Sequence, residues 1–142
     1  MTEIRIAEAS VVRFDDVEHA LTGGGDGASC WCQWWMLRAK DFSASSRDER
    51  RELLRSDLEA PVASALLAYV DGEAAGWVKV SPRPAQPRLS RTRNLQQSPE
   101  PFDDASVWAI TCFVVRREHR GAGVANRLLA AAVDHARAHG AR

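Results

Sequence analysis

Lysine is almost missing from this 142-residue chain: Lys40 and Lys79 are the only two among 19 basic residues. The bias fits GC-rich coding and points to no function by itself. A charge excess is missing as well. The 19 basic and 19 acidic side chains cancel, and the sequence pI is about 6.9. No global field therefore draws the chain to nucleic acid or to a membrane surface. No apolar run approaches the ~20 residues that a bilayer span needs. The start, MTEIRIAEAS, lacks the positive stretch and apolar core of a signal peptide, so a cytoplasmic protein is expected. Cysteine is scarce. Cys30, Cys32 and Cys112 are too few, and odd in number, for a disulfide framework. Cys30-Trp31-Cys32 resembles half a metal clip, but no second cysteine pair or nearby histidine completes it, and His19 is the nearest one upstream. Two thiols on one face of an extended segment, with no metal, is the plainer account. The length suits one domain, residues 1–142, with a real core.

What is present centres on residues 107–140. Val107 to Val115 is apolar at every position but Thr111, the pattern of a strand covered on both faces. A polar turn follows, Arg116 to Arg120, then Gly121-Ala122-Gly123. From Val124 a helical period takes over. Val124, Leu128, Ala131, Ala132 and His135 share one face, with Leu129, Val133 and Ala136 beside it, and Arg127, Asp134 and Arg137 opposite. Gly140 is placed to end the helix in a left-handed turn. No Ser, Thr, Asp or Asn caps its start, so the first amide N–H groups lack a side-chain acceptor. Glycines there let a ligand approach the backbone, the helix dipole favours an anion, and Arg120 adds a positive charge. This is a phosphate site in outline.

Spacing narrows the choice. A P-loop needs Gly-Lys followed by Ser or Thr, and the chain has no such triplet. A dinucleotide fingerprint needs a third Gly or Ala where Asn126 stands, and its acidic ribose partner would fall beyond the end of the chain. Arg120, Gly123 and Ala125 do match Gln/Arg-x-x-Gly-x-Gly/Ala, and this segment resembles the acetyl-CoA-binding motif of the GNAT N-acetyltransferases. The resemblance implies an α/β fold of the α+β mixed kind, a central mixed sheet flanked by helices. Acetyl-CoA would be the cosubstrate, and no metal is implied. Backbone of Phe113, Val114 and Val115 would pair with the pantetheine amides. The pyrophosphate would rest on the N–H groups of Gly121, Ala122, Gly123, Val124, Ala125 and Asn126, beside Arg120. Acetyl transfer would be by direct attack of an amine, without an acyl-enzyme. Cys112 suggests a ping-pong alternative, which the resemblance disfavours; a buried thiol is also normally inert. As bases for the amine the first acids to test are Glu100, Asp103 and Asp104, though each reads more readily as an exposed loop carboxylate. Members of the family commonly place a general-acid Tyr after the motif helix. Here the only tyrosine is Tyr69.

GNAT domains also continue past this helix into a strand, a helix and a closing hairpin, whereas the sequence stops at Gly140-Ala141-Arg142. The expectation is a sheet lacking its last strands, an exposed strand edge and a tendency to self-associate, such as a homodimer. A non-catalytic acyl-CoA-binding module or truncated remnant is the alternative to an enzyme acting on a small-molecule or protein amine.

The rest of the chain agrees loosely with that order. Glu3 to Ala7 predicts a first strand, with Ile4 and Ile6 on one face. Phe14, Val17 and Leu21 predict a helix stopped by Gly23, and residues 23–27 a mobile loop. Cys30 to Arg38 holds Trp31, Trp34 and Trp35. In a strand the adjacent pair would face opposite sides. They read as core or, following the resemblance, as a wall of the acceptor site. Ser46 to Glu49 is a capping box opening a helix with Leu53, Leu54 and Leu58 inward. Leu66 to Val70, Asp71-Gly72 and Gly76 to Val80 predict a hairpin. Pro82, Pro84, Pro87, Pro99 and Pro101 keep most of residues 81–105 irregular, with a short helix possible over 89–96. There Arg83, Arg88, Arg91 and Arg93 read as solvated side chains or as groups reaching phosphate.

Overall fold

The computed structural model describes residues 2–25 and 27–142. Strands β1 (Ile4–Glu8), β2 (Ala65–Val70), β3 (Glu73–Pro82) and β4 (Trp108–Val115) form one sheet in the order β1-β2-β3-β4. The helices are α1 (Phe14–Leu21), α2 (Gly27–Cys30), α3 (Ala39–Ala44), α4 (Arg47–Asp57), α5 (Arg93–Gln96) and α6 (Val124–Ala138). All three strand pairings are antiparallel. The mixed sheet expected from sequence is thus antiparallel among the described residues. A parallel neighbour for β4 needs a crossover strand after α6, and the described residues hold none.

Period-two alternation sorts the sheet's side chains into two cores. On one face Ala65, Leu67, Tyr69 and Trp77 pack with Phe14, Val17 and Leu21 of α1 and Leu54 of α4. On the other Leu66, Ala68, Val70, Val78 and Val80 pack against Val124, Leu128, Ala132 and Ala136 of α6. Both faces of β2 are apolar for this reason, and it is buried at every position. The β2–β3 hairpin turns at Asp71 (φ 48°) and Gly72 (φ 88°), two positive values in succession as a type I′ turn requires.

Helix α4 starts on the expected capping box: Glu49 N donates to Ser46 Oγ (3.1 Å) and Ser46 N to Glu49 Oε1 (3.2 Å). Its inward stripe is Arg50, Leu54 and Leu58, not Leu53, which is 40% exposed. Leu53 sits about 100° round the helix from Leu54. Arg50 is buried because its guanidinium serves the Ser29 and Ser45 carbonyls, each at 2.7 Å.

The proline-rich segment is tied down rather than loose. Arg83, 3% exposed, donates to the carbonyl oxygens of Glu100 (3.1 Å) and Pro101 (2.7 Å) and to Ser98 Oγ (3.3 Å). It is an internal staple and not a phosphate ligand. Gln86 is fully buried; its amide donates to Ser81 Oγ and Ala109 O and accepts from Thr111 Oγ1 at 2.7 Å. That bond explains the one polar position in β4. The short helix over 89–96 is two pieces, a 3-10 turn Pro87–Arg91 and α5.

Strand β4 differs most from expectation. Cys112 and Val114 pack toward the α1 side, and Trp108, Ile110 and Val115 toward α6. Both faces are therefore apolar, yet β4 ends the sheet and no described strand pairs with its outer edge. Its residues are half-buried, and Phe113 is 42% exposed. Side-chain polarity reports what covers a strand's faces, not whether its backbone edge is paired.

Candidate functional site

The register of β3 against β4 slips by one residue. Trp77 faces Val114 and Lys79 faces Thr111, so Cys112 and Phe113 together oppose Val78. This is a β-bulge. It leaves part of the ladder unpaired, bends the strand, and puts Cys112 at φ 56°. A cleft of about 640 Å³ opens there, walled by Trp34, Trp35 and Phe42 and by Cys112, Phe113 and Val114.

The turn at residues 30–36 builds that wall. Trp31 (φ 50°) and Cys32 (φ 60°) adopt left-handed backbone, so the segment is no strand, and Trp34 and Trp35 both reach the cleft. Trp31 does not; it is buried against the α1 side of the core. Of the three tryptophans read as an acceptor wall, two are brought together. Trp34 meets Phe42 edge-on with ring centroids 5.2 Å apart.

Beyond Val114 the chain runs directly into a second concavity. About 260 Å³ is lined by Val115, His119, Arg120, Gly121, Gly123, Val124, Ala125 and Asn126. Gly121 and Gly123 both stand at φ 84°. Gly123 is the N-cap of α6 and provides no side-chain acceptor. A β-carbon at either glycine would meet nothing within 4 Å. The first turn of α6 thus offers its N–H groups to an open shelf, in the way a helix start receives an anion. The orphan donors, the dipole and Arg120 converge on one place. A diphosphate fits that chemistry.

The glycine loop, expected to be mobile, contacts the turn that carries Arg120. Arg117 N donates to Gly23 O at 2.9 Å, and the Arg116 guanidinium donates to the His19 carbonyl. A β-carbon on Gly24 would come within 3.3 Å of Arg120 Nη2. Arg120 Nε also bonds Val115 O at 3.2 Å, fixing the stem of the side chain to the end of β4. Glu73 lies between His119 Nε2 (2.6 Å) and His19 Nε2 (2.8 Å). Those bonds, His119 first, pull its carboxyl down to about 2. Asp26, the remaining member of the loop, lies outside the described residues.

Two thiols and the buried ammonium of Lys79 lie near the bulge. Cys32 is buried and receives Trp77 Nε1 at 3.4 Å. Cys112 is hydrogen-bonded to Cys32, and this bond together with burial pushes its thiol well above the usual range. A neutral, partnered thiol is a poor nucleophile.

Glu100, Asp103 and Asp104 are not among the residues lining the cleft. The Glu100 carboxylate accepts from Ser98 Oγ, which lowers its pKa. Asp104 accepts from Ser106 Oγ (2.6 Å), Ser106 N (3.0 Å) and Arg142 Nη2 (3.1 Å), and is drawn down to about 2. Asp103 is exposed. Tyr69 Oη donates to Asp16 Oδ2 at 2.6 Å, and burial with that bond pushes it up to about 12. It braces β2 against α1. Among the described residues no group of three acids, histidines or cysteines could hold a metal, and no helix is long and apolar enough to cross a membrane.

The sequence reading missed the bulge, the Gln86–Thr111 bond and the docking of the glycine loop. Only Thr111, polar in an apolar strand, carried a signal for any of them.

A strand with a bulge thus feeds an uncapped helix through a glycine turn, a layout suited to a long ligand with an anionic group. Residues 31–142 match the Acetyltransferase (GNAT) family, and the chain belongs to it. No curated protein matches the sequence. Solved structures similar to it include the aminoglycoside N-acetyltransferase AAC(6')-Iy in complex with CoA. That likeness has 19% identity, covers 100% of this chain and 74% of that one, and gives a TM-score of 0.59. The PaiA N-acetyltransferase from Thermoplasma acidophilum in complex with coenzyme A is similar at 13% identity, over 97% and 74% of the two chains, with a TM-score of 0.58. A GNAT-family acetyltransferase from Streptococcus pneumoniae is similar at 15% identity, over 99% and 71%, with a TM-score of 0.53. These likenesses concern the fold.

Proposed function

We propose that this chain is an N-acetyltransferase that moves the acetyl group of acetyl-CoA directly onto an amine. One observation carries the reading: Val114 lines the cleft at the bulge and the next residue, Val115, lines the shelf at the start of α6, both on the edge of β4 that no described strand pairs. A long ligand with an anionic middle and a reactive end suits that path. The pyrophosphate would sit on the N–H groups of residues 121–126, with Arg120 beside it. Pantetheine amides would pair with the open backbone of Phe113, Val114 and Val115, as an added strand does. The thioester would then lie at the bulge, where unpaired backbone N–H can polarise its carbonyl.

An amine in the cleft attacks the thioester carbon; the C–N bond forms, the C–S bond breaks, and CoA leaves as thiolate. Cys112 takes no acetyl group, because its thiol stays protonated and bonded to Cys32. A carboxylate with a lowered pKa is a weak base, which counts against Asp104 and Glu100. We keep Asp103, the exposed member of the trio, as the proton acceptor to test, acting through water.

The test is thiol release from acetyl-CoA over a panel of amines, with mass analysis of the product. Amine-dependent release and an acetylated amine are expected. CoA-dependent stabilisation with no turnover on any amine would instead make the chain an acyl-CoA-binding module.

A further inference from the structure

Two of the chain's large exposed apolar side chains, Trp34 and Phe113, are each 42% exposed and line the same cleft. Trp35 and Phe42 complete its apolar wall, and no charged side chain lines it among the described residues. Trp34 is held from behind: the Arg88 guanidinium lies 3.6 Å from its ring centroid, and Arg88 Nη1 donates to its carbonyl at 3.3 Å. Arg88 N also bonds Trp35 O at 3.1 Å. The left-handed backbone at Trp31 and Cys32 is strained for residues with side chains, and it turns both following tryptophans to one side. An exposed aromatic wall, braced by Arg88 and with no charged side chain among the described residues that line it, matches a flat apolar ligand.

We infer that the acceptor is a small primary monoamine on an aromatic body, an arylalkylamine, whose ring stacks on Trp34 and Phe113 while its nitrogen points to the bulge. This rests on the transferase reading above. A polyamine would bring several ammonium groups into a cleft whose described lining has no carboxylate to replace their water, so it is disfavoured. The volume of about 640 Å³ must hold the thioester end as well, which leaves room for one or two rings.

The experiment is calorimetric titration of the CoA-loaded protein with phenethylamine, butylamine and spermidine. It is repeated on Trp34→Ala and Trp34→Phe, with CoA affinity measured separately on every protein. Phenethylamine should bind about tenfold or more tightly than butylamine, and spermidine most weakly. Trp34→Ala should erase the preference and Trp34→Phe keep most of it, both with CoA affinity unchanged. Spermidine binding as well as phenethylamine, or a preference untouched in Trp34→Ala, overturns the assignment while leaving CoA binding intact. Loss of CoA binding in the unaltered protein would overturn the transferase reading and this assignment with it.

Discussion

Gly76 of β3 lies so close beneath Val124 of α6 that a β-carbon on it would come within 2.9 Å of Val124 Cγ1 and 3.0 Å of Leu128 Cδ1. Gly76 also pairs with Val115 across the sheet. The missing side chain therefore sets how near the first turn of α6 sits to the end of β4, where the shelf proposed to hold a diphosphate forms.

Gly76→Ala should push that turn outward. Overpacking a tight contact of this kind costs about 1–3 kcal/mol. Urea unfolding should show the loss of stability, and CoA affinity should fall with it. A variant of unchanged stability and affinity would show that the helix start has room to spare.

Glu73 should make the protein acid-sensitive. Its carboxyl is lowered from 4.5 to about 2 by His119 and His19. A lowered folded value means its contribution is complete above about 4.5 and is lost as pH falls from there through about 2. Asp104, lowered to about 2, loses its contribution in the same acid window, so part of the slope remains without Glu73. In Glu73→Gln, urea midpoints should fall less steeply over that range than in the unaltered protein. An identical slope would mean the two histidine bonds do not hold in solution.

Cys112→Ala should keep most of the turnover, since the proposed attack on the thioester is direct. The intact mass of the unaltered protein after incubation with acetyl-CoA alone should show no acetyl adduct. An adduct removed by amine, and absent in Cys112→Ala, would establish a covalent route.

Arg83→Met should destabilise by about 2 kcal/mol, because it removes the buried guanidinium that bonds the part-buried carbonyls of Glu100 and Pro101. Limited proteolysis should then cut within residues 84–107. Arg91→Met, at an exposed position, should leave both stability and protease resistance as they were.

These residues also show what could be read in advance. Strong local rules carried through: the capping box at Ser46 and Glu49, the Asp71-Gly72 turn, and the glycine-started helix after Arg120 are each decided within a few residues. Helix α6 kept its apolar face because period 3.6 is a property of the segment itself. The cleft was not legible in the same way. A bulge is a mismatch between two strands, here pairing residues more than thirty positions apart, such as Lys79 with Thr111, and neither strand shows it alone. Arg83 looked like a solvated cation because the carbonyls it serves lie 17 and 18 residues on. Trp34 and Trp35 could share a side only through the positive φ angles before them, which no side-chain pattern announces.

The most direct test of the account is isothermal titration of CoA into the unaltered protein and into Gly123→Glu, with Gly123→Asn as a control that tolerates left-handed backbone. CoA should bind the unaltered protein, bind Gly123→Asn more weakly, and show no measurable binding to folded Gly123→Glu, whose carboxylate would occupy the phosphate's place. Folded, unaltered protein that ignores CoA, or Gly123→Glu that binds it undiminished, would contradict the account.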